Sequence, residues 1–303
     1  MSYRAGFVGI IGLPNAGKST LMNFLVKEKV SIVSNKPQTT RRRVLGIYSC
    51  PEGQLVFVDS PGMITASSGL NGFLAKEAAE VIRESDALML LLSLDTASPE
   101  EAQKLVDLAA ASHKPWVGII SKYDLQEKIH RHLVLKTMIE TAGGQAFNIS
   151  CIKEYESQKQ ERSDLLNKLV SLVPDSPTPL HDVELFTPEN LRTLVGEIIR
   201  EKCFEFLHEE IPFQIAVRPI LFNESEKMPH LAYEILVGKE NHKSIVIGKG
   251  GASLKKIGTE ARKEIERLMG EKIFLELKVG FKKDWQKDPR LMKELGYFHD
   301  TKD

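Results

Sequence analysis

The chain has 303 residues, 41 Lys and Arg against 41 Asp and Glu, and 42% apolar residues. That composition excludes a disordered, collagen-like or disulfide-stapled chain and leaves room for one large or two ordinary domains. A formal net charge of zero also argues, at face value, against a partner as acidic as nucleic acid.

In chain order, short apolar runs alternate with amphipathic stretches over residues 7–173. Strands are predicted at Phe7–Gly12, Arg43–Ser49, Leu55–Asp59, Ala87–Asp95, Trp116–Ser121 and Ala146–Ser150. Helices are predicted at Lys18–Val26, Phe73–Ser85, Glu100–Ala111, Lys128–Ala142 and Lys159–Val173. Runs as apolar as Ala87-Leu-Met-Leu-Leu-Leu-Ser indicate strands buried on both faces, hence an α/β fold with a mostly parallel sheet. Pro174-Asp-Ser-Pro-Thr-Pro179 breaks the pattern and reads as an extended linker, taken as 174–189. Beyond it the order is helix (Asn190–His208), strand (Phe213–Leu221), strand (Ala232–Val237), short helix (Asn241–Ile247), helix (Ser253–Met269), strand (Ile273–Val279). This sets out two domains, 1–173 and 190–303. Cys50, Cys151 and Cys203 are dispersed, without a CxxC pair, which suits a reducing compartment and provides no zinc framework. No apolar run is long enough to span a membrane, and a cytoplasmic location is expected.

Gly12-Leu-Pro-Asn-Ala-Gly17-Lys18-Ser19 fits GxxxxGK[ST] between a predicted strand and a predicted helix, the context that the motif needs. Its glycines let backbone N–H groups turn toward phosphate oxygens, with Gly12, Asn15, Ala16, Gly17, Lys18, Ser19 and Thr20 around them. Lys18 supplies a charge between the outer phosphates, and Ser19 a hydroxyl for Mg²⁺, a cation that prefers oxygen. Asp59-Ser60-Pro61-Gly62 closes a later strand. Asp59 is placed to hold Mg²⁺ directly or through water, and the Gly62 N–H to meet the γ-phosphate. Ser121-Lys122-Tyr123-Asp124 ends another strand. Asp124 can accept from guanine N1–H and N2–H₂, which adenine does not offer. The Lys122 stem can lie on the base, and a backbone N–H of Ser150-Cys151 can meet guanine O6.

These motifs, in this order, resemble the Ras-like, translation-factor class of P-loop GTPases. Asn35-Lys-Pro-Gln-Thr39-Thr40-Arg41 resembles the first switch of its Era branch, the ribosome-assembly GTPases with a C-terminal KH domain. The resemblance implies GTP hydrolysis with Mg²⁺ held by Ser19, Thr40 and Asp59, and catalysis through Lys18, Thr40 and Gly62. Thr39 remains the alternative to Thr40. It implies switches that order with GTP and are released on hydrolysis. It also implies 16S ribosomal RNA near its 3′ end and the small (30S) subunit as partners, a monomer, and peripheral contact with the inner face of the cell membrane. The family's base motif begins with Asn where this chain has Ser121, so a weaker tie between base loop and P-loop is expected. DSPG replaces the usual DTPG. Met63 stands where Ras-like enzymes place a water-orienting glutamine, and a thioether cannot do that work. Asn15 resembles an asparagine that helps hold K⁺ where an arginine finger otherwise acts, which implies K⁺-stimulated turnover.

Gly248-Lys249-Gly250-Gly251 sits between the short and the long helix of the second domain. The glycines allow close approach of a sugar-phosphate backbone, and the helix that follows favours an anion. The element order resembles a type II KH fold. Lys255 and Lys256 add charge, and Ile245, Ile247, Leu254 and Ile257 are expected as the groove floor. Trp285, among Lys282, Lys283 and Lys287, either stacks on a base or packs the last helix. Arg41-Arg42-Arg43 reads as a solvated strand start, with RNA contact as its alternative. Charge is also unevenly spread: residues 181–240 carry −6 and residues 241–290 carry +6. Neutrality therefore hides a basic region around the glycine loop. The leading reading is a GTP-hydrolysing switch gating RNA binding; the runner-up is an RNA-binding scaffold with negligible turnover.

Overall fold

The apolar runs become the middle of one sheet in the computed structural model, which describes residues 2–34, 36, 39–61, 76, 79–95, 98–125, 128–151, 158–224 and 227–297. Its strands are β1 (Arg4–Gly12), β2 (Val44–Cys50), β3 (Gly53–Asp59), β4 (Ala87–Ser93), β5 (Trp116–Ser121) and β6 (Gln145–Ile149). They lie in the order β2-β3-β1-β4-β5-β6, with β2 antiparallel to β3 and the other neighbours parallel. The helices are α1 (Lys18–Val26), α2 (residues 79–84), α3 (Pro99–Ala111), α4 (His130–Thr141) and α5 (Gln158–Leu172). Most of the helix expected from Phe73 lies outside the described residues.

The two-residue period of a strand divides β4 between two cores. Met89 and Leu91 join Leu21, Leu25, Leu165 and Leu169 on one face. Leu88, Leu90 and Leu92 join Leu105, Val106, Leu135 and Ile139 on the other. β3 and β4 are buried at every position, as a strand covered on both faces must be. β2 begins at Val44, one residue later than expected, and Arg43 just before it pairs with Glu80 and Glu84.

Residues 174–188, expected as an extended linker, run along the first domain. Ser176 N donates to Tyr3 O (2.9 Å). The fully buried Gln54 accepts from Leu180 N and His181 N through Oε1 and donates to His181 O and Ser49 Oγ through Nε2. Ile47 N donates to Phe186 O (2.8 Å), and Thr187 Oγ1 donates to Leu45 O (2.6 Å).

The second domain contains α6 (Leu191–Phe206), β7 (Ile215–Asn223), β8 (His230–Val237), α7 (Glu240–Ile247), α8 (Ala252–Met269), β9 (Phe274–Phe281) and α9 (Pro289–Glu294). β8 lies between β7, antiparallel to it, and β9, parallel to it. α6 starts at an Asn190 cap whose side chain accepts from Thr193 N, which satisfies a donor that a helix start leaves open. Val195, Ile199, Tyr233, Ile235, Val246, Ile257, Ala261 and Ile265 form the core.

Trp285 settles between its two alternatives as a packing residue. It is fully buried, its Nε1 donates to Gln214 O (2.9 Å), and its ring lies 6.2 Å from that of Tyr297. An indole whose single N–H is engaged indoors offers no face to a base. No helix among the described residues is long and apolar enough to cross a membrane.

Candidate nucleotide site and nucleic-acid groove

β1 delivers the P-loop at its C-terminal end, where a parallel sheet presents its ligands. Glycine is needed at the exit: a Cβ on Gly12 would lie 2.6 Å from Leu91 O on β4. The loop then bends through two left-handed residues, Asn15 (φ 62°) and Gly17 (φ 97°), before α1. Pro14, Asn15, Gly17, Lys18, Ser19 and Thr20 line one pocket with Lys36, Thr39 and Thr40. The Lys18 ammonium is buried and donates to Gly12 O (3.2 Å) and Leu13 O (2.9 Å). Burial pushes its pKa down to about 8, against the attraction of Asp59.

Asp59 ends β3 inside a cluster of hydroxyls. Its Oδ2 accepts from Ser19 Oγ (2.5 Å), Ser31 Oγ (3.0 Å) and Thr40 Oγ1 (3.4 Å), and Ser19 Oγ lies 2.9 Å from Thr40 Oγ1. Thr40 is therefore the threonine brought to the cluster, while Thr39 Oγ1 donates to Lys36 O (2.8 Å). Asp59 Oδ1 is buried without a hydrogen-bond partner, a costly state for a carboxylate oxygen. Burial pushes the Asp59 pKa up, opposed by Lys18 and the three hydroxyls. An orphaned carboxylate oxygen beside Ser19 and Thr40 makes an oxygen-only donor set that fits Mg²⁺. Ser31 belongs to no motif, so the sequence pattern did not single it out. Gly62 and Met63 lie outside the described residues.

The base loop meets the P-loop at Ser121. Its hydroxyl donates to Ala16 O (2.8 Å), so the short side chain does bind the base loop to the P-loop. Lys122, at φ 57°, points its ammonium at Asp95 (2.8 and 3.0 Å), which also accepts from Ser93 Oγ (2.5 Å). Burial works against ionisation of Asp95, but these hydrogen bonds outweigh it and hold its carboxyl below the usual range. Asp95 was not legible as a site residue because only the fold brings β4's end to Lys122. Asp124 Oδ1 accepts from Ser150 Oγ (2.6 Å). Ser150 N already donates to Gln158 Oε1 (2.8 Å), so the donor expected of that residue is engaged. Burial and Asp124 push the Cys151 thiol up to about 12, which keeps it neutral. Of the three arginines, Arg41 is buried and Arg43 is engaged by Glu80 and Glu84. The buried Arg41 departs from the solvated strand start expected of this run.

In the second domain the glycine loop joins α7 to α8. Gly248 (φ 75°, ψ 171°), Gly250 (φ 59°) and Gly251 (φ 80°) all have positive φ. α8 carries three stripes at helical spacing. Ile257, Ala261 and Ile265 enter the core. Leu254, Gly258 and Arg262, with Gly251, Lys255, Thr259, Leu275 and Leu277, line a groove of about 490 Å³. Lys256 faces α6, its ammonium 4.2 Å from the Phe206 ring centroid. This corrects the expected groove: Ile257 is core, Ile245 is exposed, and the apolar floor is Leu254 with Leu275 and Leu277 of β9. Lys255 stays in the site, Lys256 does not, and Arg262 joins it. The exposed Lys249 sits within the loop itself.

Comparison with known proteins covers both halves. The family described as 50S ribosome-binding GTPase matches residues 7–122, and the KH domain family matches residues 227–286. GTPase Era of Geobacter metallireducens is 40% identical over 301 residues, 97% of this chain and 98% of that one. GTPase Era of Neisseria meningitidis (serogroup C) is 36% identical over 296 residues, 97% and 95% of the two chains. A crystal structure of an Aquifex aeolicus Era variant bound to GDP and AlF₄⁻ aligns with a TM-score of 0.88 at 31% identity, over 98% of this chain and 100% of that one. A structure of Era with MgGDPNP and nucleotides 1506–1542 of 16S ribosomal RNA aligns equally well, with the same TM-score, identity and coverage.

Proposed function

The chain belongs to the Era family of GTPases, and on that premise we propose that GTP hydrolysis in its first domain gates binding of 16S ribosomal RNA near its 3′ end by its second, in assembly and maturation of the 30S subunit. The observation that carries this reading is one chain holding both a buried Lys18–Asp59 phosphate site and a groove lined by Lys255 and Arg262 beside the glycine loop that carries Lys249. The Era structure that aligns over 98% of this chain holds both ligand classes at once.

The residues divide the work as phosphoryl transfer requires, through position and charge rather than covalent chemistry. The P-loop backbone cradles the phosphates, and Lys18 places its ammonium between the outer two. Ser19, Thr40 and Asp59 would hold Mg²⁺, which would supply positive charge to the phosphate oxygens. Asp124 selects guanine, oriented by Ser150, while Asp95 orients Lys122 for packing beneath the base. Ser121 keeps the base loop in register with the P-loop through Ala16. Gly62 donates its N–H to the γ-phosphate. With GTP bound, Thr40 anchors the first switch; phosphate release frees it.

Asn15 holds K⁺ in this reading. It lies on the pocket wall, which Lys18 and Thr40 also line, and brings a hard amide oxygen. Turnover in K⁺ should exceed that in Na⁺ by about tenfold or more at matched ionic strength, the range of a lost transition-state contact. Equal turnover rejects the ion.

RNA crosslinking and sequencing of the GTP-bound and GDP-bound protein tests the whole proposal. Ribosomal RNA near the 16S 3′ end should be enriched with GTP, and its absence in both states overturns the assembly role. The three cysteines are free thiols, which supports a cytoplasmic location, and membrane contact in this reading is peripheral.

A further inference from the structure

The geometry assigns Ser31 a positioning role: clamped by Asn23, it holds the Asp59 carboxylate through every nucleotide state and sets how tightly Mg²⁺ is retained with GDP. The inference rests on the magnesium reading above. Asp59 Oδ2 has three hydroxyl donors, and they are not equivalent. Ser19 and Thr40 belong to the expected ligand set. Thr40 also sits on the segment released after hydrolysis, so its contact is conditional. Ser31 is neither a ligand nor free to leave.

Its backbone is fixed on both sides by one side chain. Ser31 N donates to Asn23 Oδ1 (2.9 Å), Asn23 Nδ2 donates to Ser31 O (2.7 Å), and Val30 N shares the same Oδ1 (3.0 Å). Asn23 stands four residues beyond Ser19 on α1, so the two share one helix face. α1 thus reaches Asp59 twice, once directly through Ser19 and once through Asn23 and Ser31. Ser31 is 2% exposed, so its hydroxyl meets Asp59 out of bulk water. With GTP, removal of Ser31 leaves Asp59 the hydroxyls of Ser19 and Thr40. With GDP it leaves Ser19 alone, and the carboxylate is free to swing.

The test is binding of fluorescent GDP, and of a non-hydrolysable GTP analogue, to the full chain as Mg²⁺ is titrated, with an EDTA arm. Ser31→Ala should raise the Mg²⁺ needed for half-maximal GDP binding about tenfold, the low end of what losing an outer partner of a metal ligand costs, and that for the GTP analogue by clearly less. Affinity in EDTA should not change. Asn23→Ala should reproduce the asymmetry, and Ser31→Thr, which keeps the hydroxyl, should restore the wild-type curve. A Ser31→Ala curve matching wild type, or an equal loss in EDTA, overturns the role. A wild-type protein indifferent to Mg²⁺ overturns the magnesium reading and this inference with it.

Discussion

Lys18→Ala should lower kcat/KM for GTP by about a thousandfold or more, the scale of removing one cation from a transferring phosphoryl group. The same substitution should erase a pH signature. Burial holds the Lys18 pKa near 8, below its ordinary 10.5. A bound phosphate chain raises it again, so binding takes up a proton wherever the free protein has lost one. Wild-type nucleotide affinity should be level below about pH 7 and fall above pH 8, by about tenfold at pH 9. Stability without nucleotide should run the other way. A lysine pKa depressed by folding means the unfolded chain binds more protons between about pH 8 and 10.5, so this residue's contribution to stability rises across that window. Fluorescence titration and thermal melting from pH 7 to 10, on wild type and Lys18→Ala, read the two trends. A wild-type affinity flat to pH 10 rejects the buried-ammonium account.

Gly248→Ala should cost the RNA site far more than Gly250→Ala, although the two glycines are two residues apart. Gly248 lies at φ 75°, ψ 171°, a region open essentially to glycine alone. Its Cβ would lie 2.7 Å from Ser253 Cβ and 2.8 Å from Ser253 N, in the first turn of α8. Either α8 moves or the loop does, and both spoil the approach to sugar-phosphate. A loss of about 2–3 kcal/mol, or about 30- to 150-fold in RNA affinity, is expected. A Cβ on Gly250 meets nothing within 4 Å and leaves only the left-handed penalty of about 1 kcal/mol. Fluorescence anisotropy with an RNA of the 16S 3′ end measures both. Turnover of GTP without RNA should be unchanged in each, and equal losses at the two positions would reject a steric cause.

The motifs that were legible in the sequence are those whose geometry is local. A glycine pattern between a strand and a helix specifies a phosphate nest with little help from the rest of the chain, so Gly12, Gly17, Lys18 and Ser19 could be placed from their order alone. Asp59 was legible because a strand ends there. Ser31 and Asp95 were not, because their contacts join segments 28 and 27 residues apart and neither belongs to a pattern. The Ser121 contact is hidden for a related reason: its hydroxyl reaches Ala16 O, 105 residues away in sequence. In α8 the helical period was readable but its phase was not. Ile257 and Leu254 are both apolar, and only the packed domain shows that Ile257 faces the core while Leu254 faces the groove. Trp285 could not be decided because an aromatic among lysines suits a wet surface and a buried anchor equally; Gln214 O decided it.

The stretch from Ser176 to Thr187 also bears on solubility. β2 is an outer strand of the six-stranded sheet, and Leu45 O and Ile47 N point away from β3 toward Thr187 Oγ1 and Phe186 O. Outer strands with open N–H and C=O groups template the addition of a further strand from another molecule. Here that position is taken by the chain's own segment, held in turn by three hydrogen bonds from Gln54 to Leu180 and His181. The connection between the domains thus doubles as a guard that keeps one copy's β2 from zippering onto another's.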